Sequence, residues 1–203
     1  MGYFAGSLPT GYLVARARGV DIRQSGSGNI GATNVFRVLG KPAGVLVLVV
    51  DGLKGYAACA WGTSIVLHAF GVAPSAAEPY RIVAGIAAVL GHNFTCWLRF
   101  KGGKGIATSA GVYFALAPLA AGMAVVAWVG ALLLTRYVSV ASVLAATVLP
   151  LAVWFTPNNL ALRLVTTALG ALAIWKHRSN LQRLWNGTEH RFGRKPSAPE
   201  VAP

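Results

Sequence analysis

The sequence predicts an all-α polytopic membrane protein of about seven membrane helices, and three observations carry that prediction. Of 203 residues, 55% are hydrophobic and only 11% charged, against roughly 25% charged in a soluble domain. Apolar runs separated by short Gly, Pro and Arg or Lys segments recur from one end to the other, more than a chain this short can hide in a soluble core. The 18 Lys and Arg outnumber the 5 Asp and Glu and fall mostly between the runs, as membrane proteins mark their cytoplasmic loops. Cys59 and Cys96 stand in apolar stretches without C-x-x-C spacing, so neither a disulfide framework nor a zinc site is expected.

The first run, Gly2 to Ala15, is shorter than the roughly 20 residues a bilayer crossing needs and lacks the basic start and small-residue cleavage site of a signal peptide. It reads as one thin helix or the remainder of a longer one. Gly44 to Phe70, Tyr80 to Leu98, Val138 to Phe155 and Leu160 to Trp175 each read as one membrane segment. Ile106 to Thr135 holds 30 residues, about 45 Å of helix, too long for one crossing. Pro118 near its middle divides it in two.

Charge decides between one crossing and two. With Arg16, Arg18, Arg23, Arg37 and Lys41 inside, Arg99, Lys101 and Lys104 also fall inside. A chain that turns back at Pro118 keeps Arg136 inside and returns Lys176, Arg178, Arg183, Arg191, Arg194 and Lys195 to the same face. Only Lys54, Arg81 and Arg163 are then left elsewhere. The expectation is seven segments, N-terminus outside and C-terminus cytoplasmic, forming a single domain over residues 1–190, with a basic tail of no fixed structure over 191–203.

Three polar, glycine-rich segments share the cytoplasmic side. The first runs from Gly26 to Arg37 and places Gly28 and Gly31 among Ser27, Asn29, Thr33 and Asn34. Small glycines let backbone N–H groups approach an anion, the hydroxyls and amides add neutral hydrogen bonds, and Arg37 adds a fixed fork of donors. The same stretch fits G-x-G-x-x-G with Asp51 twenty residues on, but a dinucleotide fold needs alternating strands and helices that the flanking membrane runs exclude. A plain helix-capping turn is the competing reading.

In the second segment, Lys101, Gly102, Gly103, Lys104 and Gly105 precede a run that carries Thr108. Walker geometry is absent because Gly105, not Ser or Thr, follows Lys104. Two ammonium groups before a helix N-terminus still favour an anion. His92 lies just upstream and ranks below the lysines, since a single interfacial His is more often structural. In the third segment His177 and Asn180 fall at i,i+3 and would share one face of a continued helix, with Arg178 and Arg183 turned elsewhere. Glu189 is expected to neutralise an arginine. Ser139 and Ser142 could add hydroxyls. Asp51 and Lys54, at i,i+3 within an apolar run, are expected to pair, because a lone charge there is expensive.

Glycines, Arg37, two lysines, one histidine and several amides, all beside apolar walls, describe a site where a phosphate-bearing substrate meets a lipid-soluble one. No carboxylate pair, metal cluster or Ser-His-Asp set occupies this face, so neither metal nor other cofactor is expected. The three segments closely resemble the motifs of the bacterial membrane acyl-phosphate:glycerol-3-phosphate acyltransferases. They match at Ser27-Gly28-Asn29-x-Gly31-Ala32-Thr33-Asn34-x-x-Arg37, at Gly91-His92 with Phe100-Lys101-Gly102-Gly103-Lys104-Gly105 and Ala107-Thr108, and at His177-x-x-Asn180 with Arg183-Leu184, Gly187 and Glu189. Two departures are a shorter first helix and Thr95 where that family usually has Pro.

The resemblance implies transfer of a fatty acyl group from acyl phosphate to the primary (sn-1) hydroxyl of glycerol 3-phosphate, giving lysophosphatidate and inorganic phosphate, the first step of phospholipid synthesis, at the cytoplasmic face of a bacterial inner membrane. It implies catalytic roles for Ser27, Arg37, Lys104, His177 and Asn180, and substrate contacts from Gly28, Asn29, Gly31, Thr33, Asn34, His92, Lys101, Gly102, Gly103, Gly105, Thr108 and Ser142, with Glu189 structural. Membrane lipid is the expected surrounding partner, and oligomeric state is left open. The competing reading, a transporter of phosphate compounds, calls for polar residues across the membrane midplane, where the runs hold little beyond Asp51 and Lys54. A nucleic-acid-binding anchor calls for exposed aromatics in an ordered soluble module, which the sequence lacks.

Overall fold

Pro9, Gly40, Pro118 and His177 set where the helices of this chain break. The computed structural model describes residues 1–193, and the regular structure it holds there is helical. Helices α1 (Gly2–Ser7) and α2 (Thr10–Arg16) are followed by a 3₁₀ turn at Ile22–Gln24 and α3 (Ala32–Leu39). Helix α4 (Lys41–Ala57) passes through a π-helical turn, Ala58–Gly62, into α5 (Thr63–Ala69). Then come α6 (Ala77–Asn93), α7 (Ile106–Leu116), α8 (Pro118–Thr135), α9 (Val138–Phe155), α10 (Leu160–Lys176) and α11 (Arg178–Trp185).

The single thin helix expected over Gly2 to Ala15 is two helices. Pro9 cannot donate to the preceding turn and its ring disfavours helix at Leu8, so the chain leaves helix at Leu8 and re-enters at Thr10. Gly40 alone separates α3 from α4, at φ 87° and ψ 178°, a backbone shape that only glycine adopts readily. The long run does divide at Pro118. Ala117 is forced out of helix (φ −145°, ψ 71°), and Pro118 opens α8, where its missing N–H costs nothing. The two halves then take different partners, α7 against α4 and α8 against α9.

Among the described residues, four helical runs are long and apolar enough to cross a membrane: Lys41–Ala69, Pro74–Leu98, Pro118–Thr135 and Val138–Phe155. Large apolar side chains of α8, among them Leu119, Val126, Leu133 and Leu134, point outward, as a lipid-facing helix requires. Helix contacts inside are made by small residues. A Cβ on Gly6 of α1 would strike the Ala88 carbonyl of α6, and one on Gly111 of α7 the Gly52 carbonyl of α4. Such backbone-to-backbone approach supplies the van der Waals contact that holds helices together where lipid removes the hydrophobic driving force.

One apolar core joins Val89, Val112, Tyr113, Ala120, Val153 and Leu162 of α6 to α10. A second, at the N-terminal end, joins Ala15, Ile22, Ile30, Val35 and Val47. Lys176 ties the ends of α6 and α10 together: its ammonium donates to the Asn93 carbonyl at 2.8 Å and sits 4.1 Å from the centre of the Phe94 ring. Thr95 donates its hydroxyl to the Ser7 carbonyl at 2.6 Å, a bond that proline could not make.

Candidate active site

The three polar segments meet at one end of the bundle. Lys104 donates to Asn180 Oδ1, Asn180 Nδ2 donates to Glu189 Oε1 at 2.7 Å, and Arg183 Nε donates to Glu189 Oε2 at 2.8 Å. Arg37, on α3, lies close enough to Glu189 and Arg183 to feel both charges, and Lys104 feels Arg183, Glu189 and Arg37. The result is a cluster of three cations around one carboxylate, of which Arg183 alone touches that carboxylate directly. The chain beyond helps to close it. Arg191 donates to the Tyr137 hydroxyl at 2.9 Å, the Phe192 N–H donates to the Arg136 carbonyl at 2.7 Å, and the Phe192 ring packs on Phe36 at 5.5 Å. Residues 191 and 192 make these contacts while staying exposed, and the expected tail from residue 194 on lies outside the described residues.

Burial presses the Lys104 ammonium down to about 8, helped by Arg183 and Arg37 and opposed by Glu189. At neutral pH it is charged but gives up its proton more readily than an ordinary lysine. His177, 4% exposed, is pushed down to about 4, first by burial and then by Lys104. Its Nδ1 lies 2.8 Å from the Ala173 carbonyl, which accepts only, so the neutral ring carries its proton on Nδ1 and keeps a lone pair on Nε2. Burial alone would raise the Glu189 carboxyl, but hydrogen bonds from Asn180 and Arg183 outweigh it and hold the group below the usual range. The buried Ser139 hydroxyl faces the same carboxylate.

Several expected ligands have other work. Asn34 is 2% exposed. Its Oδ1 accepts from the Ser27 N–H at 2.9 Å, and its Nδ2 donates to the carbonyls of Ile22, Ser25 and Asn29 at 3.3, 2.9 and 2.9 Å. All its capacity holds the loop, so it builds the site without facing it. Asn29 Oδ1 accepts from the Gly31 N–H at 2.9 Å, and the Gly28 N–H donates to the Ser25 carbonyl at 3.0 Å. The amides of Ser27, Gly28 and Gly31 are therefore spent inside the turn. Ser27, Gly28, Thr33 and Arg37 stay exposed on its outer side.

A similar correction applies to the second segment. The Gly102 N–H donates to the Asn93 carbonyl at 3.2 Å and the Gly103 N–H to the His92 carbonyl at 3.0 Å, so neither amide is free for an anion. The glycines are there for packing. A Cβ on Gly102 would strike the His92 carbonyl, one on Gly103 the His92 ring, and one on Gly105 would come within 2.6 Å of Asn93 Oδ1. Gly105 has φ 82° and caps α7; the N–H groups of Ile106, Ala107 and Thr108 in its first turn have no hydrogen-bond partner among the described residues and can face an anion.

His92 is 5% exposed beneath this loop and away from its open side, and Thr108 is fully buried. Lys101 stands exposed. The Ser142 hydroxyl accepts from Trp128 Nε1 at 3.2 Å between α8 and α9, so Ser139 and not Ser142 borders the cluster. The expectation that Arg183 turns away does not hold: Asn180 and Arg183 stand at i,i+3 on α11, share one face and both reach Glu189.

A sequence profile described as glycerol-3-phosphate acyltransferase matches residues 1–187. A glycerol-3-phosphate acyltransferase of Geobacter sulfurreducens is 44% identical over 190 residues, covering 94% of this chain and 93% of that one. One from Synechococcus sp. (strain JA-2-3B'a(2-13)) is 44% identical over 195 residues, covering 96% and 92%. Among solved structures, PlsY (YgiH), an integral membrane glycerol 3-phosphate acyltransferase, superposes in its glycerol 3-phosphate form with a TM-score of 0.84 at 41% identity, covering 95% of this chain and 92% of that one. Its lysophosphatidic acid form gives 0.81 at 40% identity, with the same coverage. With the profile spanning nearly the whole chain and relatives this similar over more than nine-tenths of their length, the chain belongs to the glycerol-3-phosphate acyltransferase family.

Proposed function

We propose that this enzyme moves a fatty acyl group from acyl phosphate to the sn-1 hydroxyl of glycerol 3-phosphate, releasing lysophosphatidate and inorganic phosphate as the first step of phospholipid synthesis. The observation that carries the reading is the cluster of Arg37, Lys104 and Arg183 around Glu189, a cationic pocket at the end of membrane helices. Glycerol 3-phosphate binding is supported by the solved relative in its glycerol 3-phosphate form.

An acyl phosphate is an activated mixed anhydride, so the reaction needs orientation and neutralisation of the departing phosphate more than a strong nucleophile. Arg37 and Lys104 hold the glycerol phosphate, with Asn180 fixing the ammonium and Ser27 adding a hydroxyl from the exposed loop. The N-terminus of α7 takes the donor phosphate. The substrate hydroxyl attacks the acyl carbon, the bond to phosphate breaks, and the hydroxyl proton passes to an oxygen of that phosphate; His177 Nε2, neutral and unshared, is the alternative acceptor. A Ser27 acyl-enzyme lacks an adjacent base. Seven membrane segments, with the N-terminus outside and the C-terminus inside, put the pocket on the cytoplasmic face of a bacterial inner membrane, where the basic loops gather.

Purified enzyme in detergent, given palmitoyl phosphate, is expected to release phosphate and form lysophosphatidate only when glycerol 3-phosphate is present, and to ignore palmitoyl-CoA. Equal turnover of the thioester would remove the acyl-phosphate assignment. Absence of turnover with either donor, from folded protein, would recast the pocket as the vestibule of a transporter.

A further inference from the structure

Asp51 and Lys54 lie apart from the pocket, three residues apart on α4, with side chains 3% and 7% exposed. Lys54 Nζ is 2.8 Å from Asp51 Oδ1 and donates to the Leu8 carbonyl at 2.8 Å. The Thr10 hydroxyl donates to the same Asp51 oxygen at 3.0 Å. The pair therefore braces both sides of the break that Pro9 opens between α1 and α2. Asp51 Oδ1 also lies 3.8 Å from His92 Nδ1, a buried nitrogen with no hydrogen-bond partner among the described residues. The opposite edge of that ring, at Nε2, is the surface on which Gly103 rests, and the Gly103 N–H is anchored to the His92 carbonyl. Lys104 follows directly. On its other side Gly105 rests on Asn93.

The desolvation of two buried charges consumes most of their attraction, so beyond the bonds to Leu8 and Thr10 the ion pair adds little to stability. The pair needs a use beyond stability. We propose that Asp51 and Lys54 are positioning residues for Lys104: they orient the His92 ring, and the ring sets the height of Gly103 and so the reach of the Lys104 ammonium to Asn180. This rests on the acyl-transfer reading given above.

The test is the neutral double variant Asp51→Asn/Lys54→Met, made in the parent enzyme and again in Lys104→Gln. Losing both charges together leaves no lone charge in the membrane, so the double variant is expected to fold and melt near the parent. Its kcat/KM for glycerol 3-phosphate is expected to fall on the order of 10²-fold, the size of an approximately 1 Å misplacement. In the Lys104→Gln background the same change is expected to cost less than about twofold, because the residue it acts through is gone. Losses that multiply in the two backgrounds, or no loss in the parent, would overturn the proposal.

Calorimetric binding of glycerol 3-phosphate, which needs no donor, gives the same comparison independently of turnover. Binding roughly tenfold weaker in the parent background alone is expected, as for one displaced charged contact. A parent enzyme that shows this coupling yet makes no lysophosphatidate from palmitoyl phosphate would retire the donor assignment and keep the positioning role. Equal binding loss in both backgrounds, or none in either, would again overturn it.

Discussion

The Lys104 ammonium donates to Asn180 Oδ1, closing a contact between residues 76 apart in the chain. Because Asn180 in turn donates to Glu189, the lysine is held in the pocket without an acid of its own, and its charge stays available to a substrate phosphate.

The availability of that charge gives a pH dependence. Lys104 titrates near 8 in the unliganded enzyme, below an ordinary lysine, so kcat/KM for glycerol 3-phosphate is expected to fall as pH rises through about 8, where the ammonium is lost. Glu189 supports the charged form, so Glu189→Gln should move this limb toward lower pH. Lys104→Arg should remove it, since guanidinium does not titrate in the range. A limb unmoved in both variants would assign it to another group.

Arg37 reaches the cluster from α3 and has no close carboxylate partner among the described residues. Arg37→Ala is expected to raise KM for glycerol 3-phosphate about 30-fold, the equivalent of about 2 kcal/mol for one charge-assisted contact. Thermal stability should change little. Steady-state kinetics at varied glycerol 3-phosphate checks both; an unchanged KM would remove Arg37 from the acceptor site.

Asn34→Asp keeps size and the bond from the Ser27 N–H but cannot donate to the carbonyls of Ile22, Ser25 and Asn29. At about 1 kcal/mol for each lost bond, the variant is expected to lose about 2–3 kcal/mol, read as a lowered melting temperature. If melting held and only KM rose, Asn34 would be a substrate ligand after all.

Two glycines offer opposite outcomes for the same substitution. Gly103→Ala would drive a methyl group into the buried His92 ring, displacing the loop and lowering activity on the order of 10²-fold. Gly122→Ala meets nothing within 4 Å on α8 and should leave activity intact, with stability unchanged or raised by up to about 1 kcal/mol from helix propensity. Parallel assays of lysophosphatidate formation and melting decide both.

Local signals were the legible ones. The split at Pro118 and the pairing of Asp51 with Lys54 could be read from the sequence because proline geometry and i,i+3 spacing act over a few residues. At Asn34 and the Gly102–Gly105 loop the packing role was not legible, because their residue types suit anion binding and tertiary packing equally well, and the packing partners, the Ile22–Asn29 turn and the His92–Asn93 helix end, are set only by the fold. The joint at His177 was hidden for a different reason: no proline or glycine marks it.

The backbone contacts at Gly6 and Gly111 also imply an inverted pattern of mutational tolerance. In most soluble proteins the bulky interior residues resist change and the small ones are forgiving. Here the large side chains of α8 can be exchanged for one another against fluid lipid, while the smallest residues hold the architecture, so a saturation survey should find intolerant positions at the glycines and alanines of the helix contacts, and natural drift should run through the outward leucines and valines of α8.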